Sequence, residues 1–224
     1  MKNTPALMIT CEHASNALPD FVLRSLRDKR IPDEILNSHR GYDIGAFSVY
    51  SNLIKRLKPD FHCTGTFSRL AVDMNRSSTS KSFFSEYTNH LPDMVKSRLL
   101  SLWQKYREKI ERFVSSKIPE KLRKSENEVP LMVIHLGIHS FTPVLNEVER
   151  DADVGILYDP SRPAEAKLAE ILIKSIRERE PSLRIRRNYP YLGKSDGLTT
   201  TLRQKFGAAY VGLEIEINQK LLMF

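Results

Sequence analysis

Between Pro130 and Pro143 the chain runs PLMVIHLGIHSFTP, and this stretch limits what the rest can be. Leu131, Met132, Val133 and Ile134 form a short apolar run with β-branched members, the signature of a buried strand. Two histidines follow four positions apart, His135 and His139, before Ser140, Phe141, Thr142 and Pro143 break the pattern. A strand's period of two puts residues 135, 137 and 139 on one face, so both imidazoles point toward one crevice. In an open α/β sheet, ligands bind outside the carboxyl ends of the strands. A neutral imidazole is the commonest metal ligand and a good general base. His139 is the candidate for such a role, and His135 suits a hydrogen-bonded wall.

The same motif, an apolar run ending in polar residues, recurs. Ala6 to Cys11 (ALMITC) reads as a buried strand and runs into Glu12 and His13. Phe61 to Val72 is rich in β formers, reads as a strand, and meets Asp73, Asn75 and Arg76. Tyr210 to Ile217 (YVGLEIEI) alternates and carries Glu214 and Glu216 into Asn218 and Gln219. Val154 to Tyr158 and Leu183 to Asn188 complete the strand set. Helical spacing is found over Leu18 to Leu26, and from residue 46 to Leu57 with Asp43 as a candidate N-cap. Leu91 to Ile118 reads as one long amphipathic helix, with Trp103 in the core and the basic residues on its solvated face. Pro163 to Arg179 starts with proline as helices often do, and Gly197 to Phe206 is a short helix carrying Arg203. Arg30 to Asn37 and the charged Ser115 to Glu128 read as loops. Strands alternating with helices predict an α/β fold, a mixed, largely parallel sheet flanked by helices, in a single domain over residues 1–224.

No apolar run approaches the roughly 18 residues that span a bilayer. The N-terminus lacks the apolar core and cleavage site of a signal peptide. Cys11 and Cys63 are too few for a disulfide framework, so a cytoplasmic location is expected. The net charge of +8 admits nucleic acid, an anionic membrane or an acidic small molecule. The excess lies in Arg98 to Lys124 and in Arg184, Arg186 and Arg187. It lacks the interleaved aromatics of an RNA-binding stripe. Neither nucleic acid nor membrane is therefore an expected partner.

The sequence has no HExxH, CxxC or GxSxG motif and no glycine-rich phosphate loop. Ser140 lacks the flanks of a nucleophile elbow, and Cys11 reads as a small buried hydrophobe. What remains is a set of polar clusters after strands, which converge if the strands are neighbours. A catalytic zinc takes three histidine or carboxylate ligands and a water, with a free carboxylate as general base for that water. His13 and His139 are the histidine candidates, Asp43 or Glu12 the carboxylate, and Glu216 the base. Arg76, beside Asn75, offers a planar fork that fits a substrate carboxylate. Arg203 is a second candidate for that contact.

Six segments, TCEHASNALP (10–19), HRGYDIGA (39–46), FSRLAVDMNRSS (67–78), IHLGIHSFTPVLNEVERDADVGILYDPSR (134–162), NYPYLGKSDGLTTTLRQKFG (188–207) and YVGLEIEINQKLLM (210–223), resemble the N-formylglutamate amidohydrolase family. They cover nearly the whole chain outside the long helix and its loop. The resemblance implies zinc dependence and a three-layer fold like that of the zinc carboxypeptidases and aspartoacylases, with a sheet of the eight-stranded type. It implies a chain order of histidine, Asn-Arg pair, second histidine and catalytic glutamate, met here by His13, Asn75-Arg76, His139 and Glu216. In the carboxypeptidases the carboxylate ligand lies three residues after the first histidine, a position held here by Asn16. The family pattern instead has an aspartate within the segment matched by GYDIGA, which makes Asp43 the expected third ligand, with Glu12 in reserve. Deformylating members show a Pro-His-Ser-Gly type of stretch where this chain has Cys-Glu-His-Ala-Ser-Asn, a departure that bears on substrate. The implied reaction is hydrolysis of the amide of a small anionic N-acyl amino acid, N-formyl-L-glutamate first, with another N-acyl amino acid or small peptide as the alternative.

Overall fold

Six strands join into one sheet because each buries an apolar face under helices while its backbone pairs with its neighbours. The structure, a computed structural model, describes residues 4–27, 29–123 and 129–222. In chain order the elements are β1 (Ala6–Cys11), α1 (Asp20–Leu26), α2 (Asp33–Leu36), α3 (Ala46–Leu57), β2 (Phe61–Thr64), α4 (Asp93–Lys117), α5 (Glu120–Arg123) and β3 (Val133–Phe141). They continue with β4 (Val144–Leu145), β5 (Val148–Glu149), β6 (Val154–Leu157), α6 (Pro163–Arg179), β7 (Ile185–Arg187), α7 (Leu198–Phe206) and β8 (Tyr210–Asn218). The sheet order is β2-β1-β3-β8-β6-β7. Strands β2, β1, β3 and β8 run parallel, and β6 pairs antiparallel to β8 and parallel to β7. The mixed, largely parallel sheet is thus as expected, but among the described residues it has six strands rather than the eight the resemblance implies. β4 and β5 form a separate hairpin.

Alternation along the strands sorts side chains between two helical layers. On one face Met8, Val133 and Tyr210 pack with Ile110 and Val114 of α4 and Leu202 and Phe206 of α7. On the other, Ile9, Cys11 and Ile138 meet Ala46 and Tyr50 of α3, and Ile156 and Leu213 meet Ala169 and Ile173 of α6.

Several local readings need correction. The strand expected over Phe61 to Val72 stops at Thr64. Beyond it Leu70, Ala71, Val72, Asp73 and Met74 are buried one after another, enclosed with Val22 and Leu26 of α1 and Leu99 of α4. Their apolar content reflects a turn buried on all sides, not a period of two. Gly65 lies at the break because a Cβ there would sit 1.9 Å from the Glu12 carbonyl oxygen. Asp43 does not cap α3; Gly45 holds that position at φ 79°, and the Asp43 side chain turns toward the sheet. Arg30 to Asn37 contains the single turn α2. Of the loop expected over Ser115 to Glu128, residues 115–117 end α4, Glu120–Arg123 form α5, and 124–128 lie outside the described residues. The β4–β5 hairpin, with Asn146 at φ 50° and Glu147 at φ 65°, has strands too short to show periodicity.

His135 lies inside β3 and is a wall residue. Its Nε2 is 2.7 Å from the Thr10 hydroxyl and its Nδ1 2.6 Å from the Tyr210 hydroxyl. Burial pushes its pKa down to about 4, against roughly 6.5 in an unfolded chain. Between these values the unfolded chain takes up a proton that the fold refuses. The stability involved is therefore present above pH 6.5 and lost as pH falls toward 4. Urea unfolding at pH 6.5 and pH 4.5 is expected to show a smaller acid-induced loss for His135→Gln than for wild type. Equal losses would contradict a neutral buried imidazole.

Candidate active site

β1, β3 and β8 are sheet neighbours, so three of the polar clusters meet. His139 is in register with Glu216 and Gly137 with Glu214, while Thr10 is in register with Gly137, which brings Glu12 and His13 beside His139. Met8, Val133 and Tyr210 begin the face covered by α4 and α7. Further along the same face, in steps of two, come Glu12, His139, Glu214 and Glu216. The parallel strands thus place apolar residues under the helices and chemistry at their carboxyl ends.

Asp43 holds the centre. Its Oδ2 is 2.9 Å from His139 Nδ1 and 3.5 Å from His13 Nδ1, and it accepts from the Ser140 backbone N–H at 3.3 Å. Its Oδ1 is paired with the Arg69 guanidinium. The outer nitrogens of the two imidazoles face a second pair of carboxylates. His13 Nε2 donates to Asp73 Oδ1 at 2.8 Å, and His139 Nε2 lies 3.0 Å from Glu12 Oε2. Tyr106 of α4 in turn donates to Glu12 Oε1 at 2.8 Å. All these acids and imidazoles are buried.

Such burial disfavours charge, and the partners decide the outcome. Burial alone would raise Asp43, but Arg69 and the imidazoles hold its carboxyl well below the usual range. Asp73 is likewise lowered against its burial by His13 and Arg69. Burial works to lower His139, yet hydrogen bonding to Asp43 and Glu12 raises it well above an ordinary imidazole. Among the described residues no side chain hydrogen-bonds Glu216 Oε2, and burial pushes its carboxyl up to about 7 against the pull of His139 and Arg69.

His13, Asp43 and His139 each offer a ligand atom, all within 4.8 Å of one another. Among the described residues His13 Nδ1 is buried without a hydrogen-bond partner, 3.5 Å from Asp43 Oδ2. A divalent cation among the three atoms satisfies all of them. Carboxylates on the outer nitrogens are what orient metal-bound histidines. The donor set therefore fits a metal ion, with Asp43 rather than Glu12 offering the carboxylate atom, since Glu12 stands behind His139.

A cavity of about 190 Å³ opens beside this cluster, lined among others by Arg69, Asn75, Arg76, Tyr191, Glu214 and Glu216. The structure thus brings together His13, Asp43, Asn75, Arg76, His139 and Glu216. It does not bring Arg203. That guanidinium is buried between α7, α6 and β8, pairing with Glu165 at 2.8 Å and donating to the carbonyls of Gly193 and Gly212. It clips the helices to the sheet. Sequence reasoning passes over Arg69, and it places Asp73 in a polar cluster without giving it a role. Both lie in the segment that reads as a strand or at its end, and only the enclosed turn points them inward.

The fold and the cluster define an α/β protein with a polar strand-end site carrying a metal-compatible donor set. The family model described as N-formylglutamate amidohydrolase matches residues 5–223, and the chain belongs to that family. It is similar to gene product Atu2144 from Agrobacterium tumefaciens at 26% identity and a TM-score of 0.74, over 98% of this chain and 83% of that one. It shares the fold of an N-formylglutamate amidohydrolase from Ralstonia eutropha JMP134 at 16% identity and a TM-score of 0.62, over 99% of this chain and 85% of that one. No curated protein matches the chain.

Arg203→Met is expected to cost about 3 kcal/mol of stability, the scale for breaking a buried ion pair, while turnover by the folded variant stays close to wild type. Equilibrium unfolding and kinetics together check this. A stable variant with a raised KM would return Arg203 to the substrate.

Proposed function

We propose that this chain is a zinc-dependent hydrolase that cleaves the amide C–N bond of an N-acyl amino acid, with N-formyl-L-glutamate, giving formate and L-glutamate, as its first substrate. The observation that carries the proposal is the pair of braced imidazoles, His13 and His139, converging on Asp43 directly across the sheet from Glu216. Membership of the family supports it. A cavity of about 190 Å³ suits a small substrate, below the roughly 300–1,000 Å³ of drug-sized sites.

His13, Asp43 and His139 would hold the metal, which supplies Lewis-acid polarisation of the scissile carbonyl and acidifies the attacking water. Glu216 takes the water proton as the new C–O bond forms, then delivers it to the leaving nitrogen as the C–N bond breaks. Arg69 sits beside Asp43 where a guanidinium counters negative charge building on the carbonyl oxygen. Arg76 and Asn75 hold the substrate carboxylate. The net charge of +8 favours the approach of small anions. Asp73 and Glu12 keep the imidazoles aimed.

A second reading, another N-acyl amino acid or a small peptide, draws on Glu214 and Asp196, which also line the cavity. A second substrate carboxylate meets repulsion from these acids, whereas a neutral or cationic side chain does not. The whole of residues 1–224 acts as one domain in either reading. No helix among the described residues is long and apolar enough to cross a membrane. Cys11 and Cys63 are buried and unpaired, which supports a reducing, cytoplasmic setting. We assign the chain no nucleic-acid partner.

Glu216→Gln is expected to lose about 10²–10⁴-fold in kcat, the range for a general base, with its metal content unchanged. A variant that keeps its turnover would remove Glu216 from the mechanism. Asp73→Asn is expected to weaken zinc affinity about 10–100-fold, as loss of a carboxylate behind a metal histidine does. Unchanged affinity in a competitive chelator titration would remove Asp73 from the support of the metal site.

A further inference from the structure

The residues assigned to the substrate carboxylate stand on a segment with no regular structure of its own. Asn75 and Arg76 lie between β2 and α4, outside helix and strand. Their backbone groups are held by side chains instead. The N–H groups of Asn75 and Arg76 donate to Asp73 Oδ1 at 2.9 and 3.3 Å. The carbonyls of both accept from a single guanidinium nitrogen: Arg107 Nη2 lies 2.7 Å from the Asn75 oxygen and 2.9 Å from that of Arg76. Trp103 Nε1 donates to the Arg76 oxygen as well, at 3.0 Å.

Arg107 is an unusual residue to find there. It is 3% exposed, and its Nε and Nη1 have no hydrogen-bond partner among the described residues. Among the described residues no carboxylate forms a salt bridge with it; its guanidinium lies 5.1 Å from the Trp103 ring centroid. A buried cation without a contacting anion is costly, and a neutral apolar side chain would fill a helix core more cheaply. What the guanidinium does in return is fix two peptide carbonyls at once and add a positive charge behind the Asn-Arg pair. Trp103, Tyr106 and Arg107 share one face of α4, at the i, i+3 and i+4 spacing. Through Tyr106 the same face reaches Glu12. The middle of the long helix, in the basic segment that otherwise reads as a solvated surface, therefore braces both halves of the site.

We propose that Arg107 is a positioning residue for substrate binding: by holding the backbone carbonyls of Asn75 and Arg76 from within α4, it sets where their side chains present to the substrate carboxylate. The proposal rests on the assignment of Asn75 and Arg76 to that carboxylate. Their own side chains are otherwise lightly tied. Asn75 Oδ1 accepts from the Leu198 N–H at 2.8 Å, which leaves its NH2 group as donor, and Arg76 Nη1 donates to the Asp196 carbonyl at 2.6 Å. With the carbonyl anchors gone, the dipeptide can shift without unfolding the sheet.

The test is steady-state hydrolysis of a panel of N-formyl amino acids by the metal-loaded enzyme, in wild type, Arg107→Met, Arg107→Lys and Trp103→Phe, with urea unfolding in parallel. Arg107→Met is expected to raise KM about tenfold, the scale of a modest misplacement of binding groups, while kcat changes far less. Inhibition by the product amino acid weakens in step. Arg107→Lys, which keeps the charge and one donor nitrogen, recovers part of the KM. Trp103→Phe, which keeps an aromatic ring and loses the donor, raises KM by a smaller factor. A purely structural role moves unfolding midpoints and active fraction but not KM. A folded Arg107→Met with KM and product inhibition at wild-type values overturns the proposal. If Arg107→Met does not fold, wild-type KM values in both Arg107→Lys and Trp103→Phe overturn it. Wild type that hydrolyses no member of the panel overturns the substrate reading itself, and this proposal with it.

Discussion

The buried carboxylate of Asp43 is the interaction on which the rest of the site depends. An isolated carboxylate at this depth would be neutral or would not be there. It stays ionised because Arg69 pairs with one oxygen while two imidazoles and a backbone N–H surround the other. Those partners come from three separate parts of the chain: His13 from the end of β1, Arg69 from the enclosed turn after β2, His139 and Ser140 from β3. Asp43 itself reaches in from the residues before α3, where its backbone N–H donates to the His13 carbonyl at 3.0 Å. Removing the carboxylate would leave Arg69 and the Nδ1 atoms of both imidazoles without their shared anion. The site is thus a consequence of the sheet order, which sets β1 and β3 side by side.

Around that centre the charges are arranged in two rings. Asp43 lies within; Asp73 and Glu12 lie behind the histidines, and each is held in turn, by the backbone of residues 75 and 76 and by Tyr106. Glu216 stands apart as the acid whose Oε2 has no hydrogen-bond partner among the described residues, and its carboxyl is the one that ends up raised. Two environments within one pocket thus drive carboxylates in opposite directions, which is how a single site separates groups that stay charged from groups that exchange protons.

Much of this is legible in the sequence, and the parts that are not have physical reasons. YVGLEIEI keeps its alternation because one face of β8 is apolar core and the other leads to the site, so the alternation alone puts Glu214 and Glu216 on one side of the sheet. His13 and His139 stand out because a polar residue ending an apolar run has few other uses. Asp43 is harder: an aspartate just before a helix looks like a cap, and here Gly45, at φ 79°, holds that position instead. Arg69 and Asp73 are masked because a fully enclosed turn and a strand share the same apolar content. Arg203 misleads in the opposite sense. Nothing local distinguishes an arginine that binds substrate from one that ties a helix to a sheet, because the difference lies in Glu165, 38 residues away along the chain.

The measurement that tests the account most directly is the zinc content of the purified protein, taken together with formate release from N-formyl-L-glutamate before and after chelation. The account predicts about one zinc per chain, formate release that a chelator abolishes, and its return when zinc is added back. Formate release that is indifferent to the chelator, or a protein that binds no divalent metal when it is supplied, would contradict it.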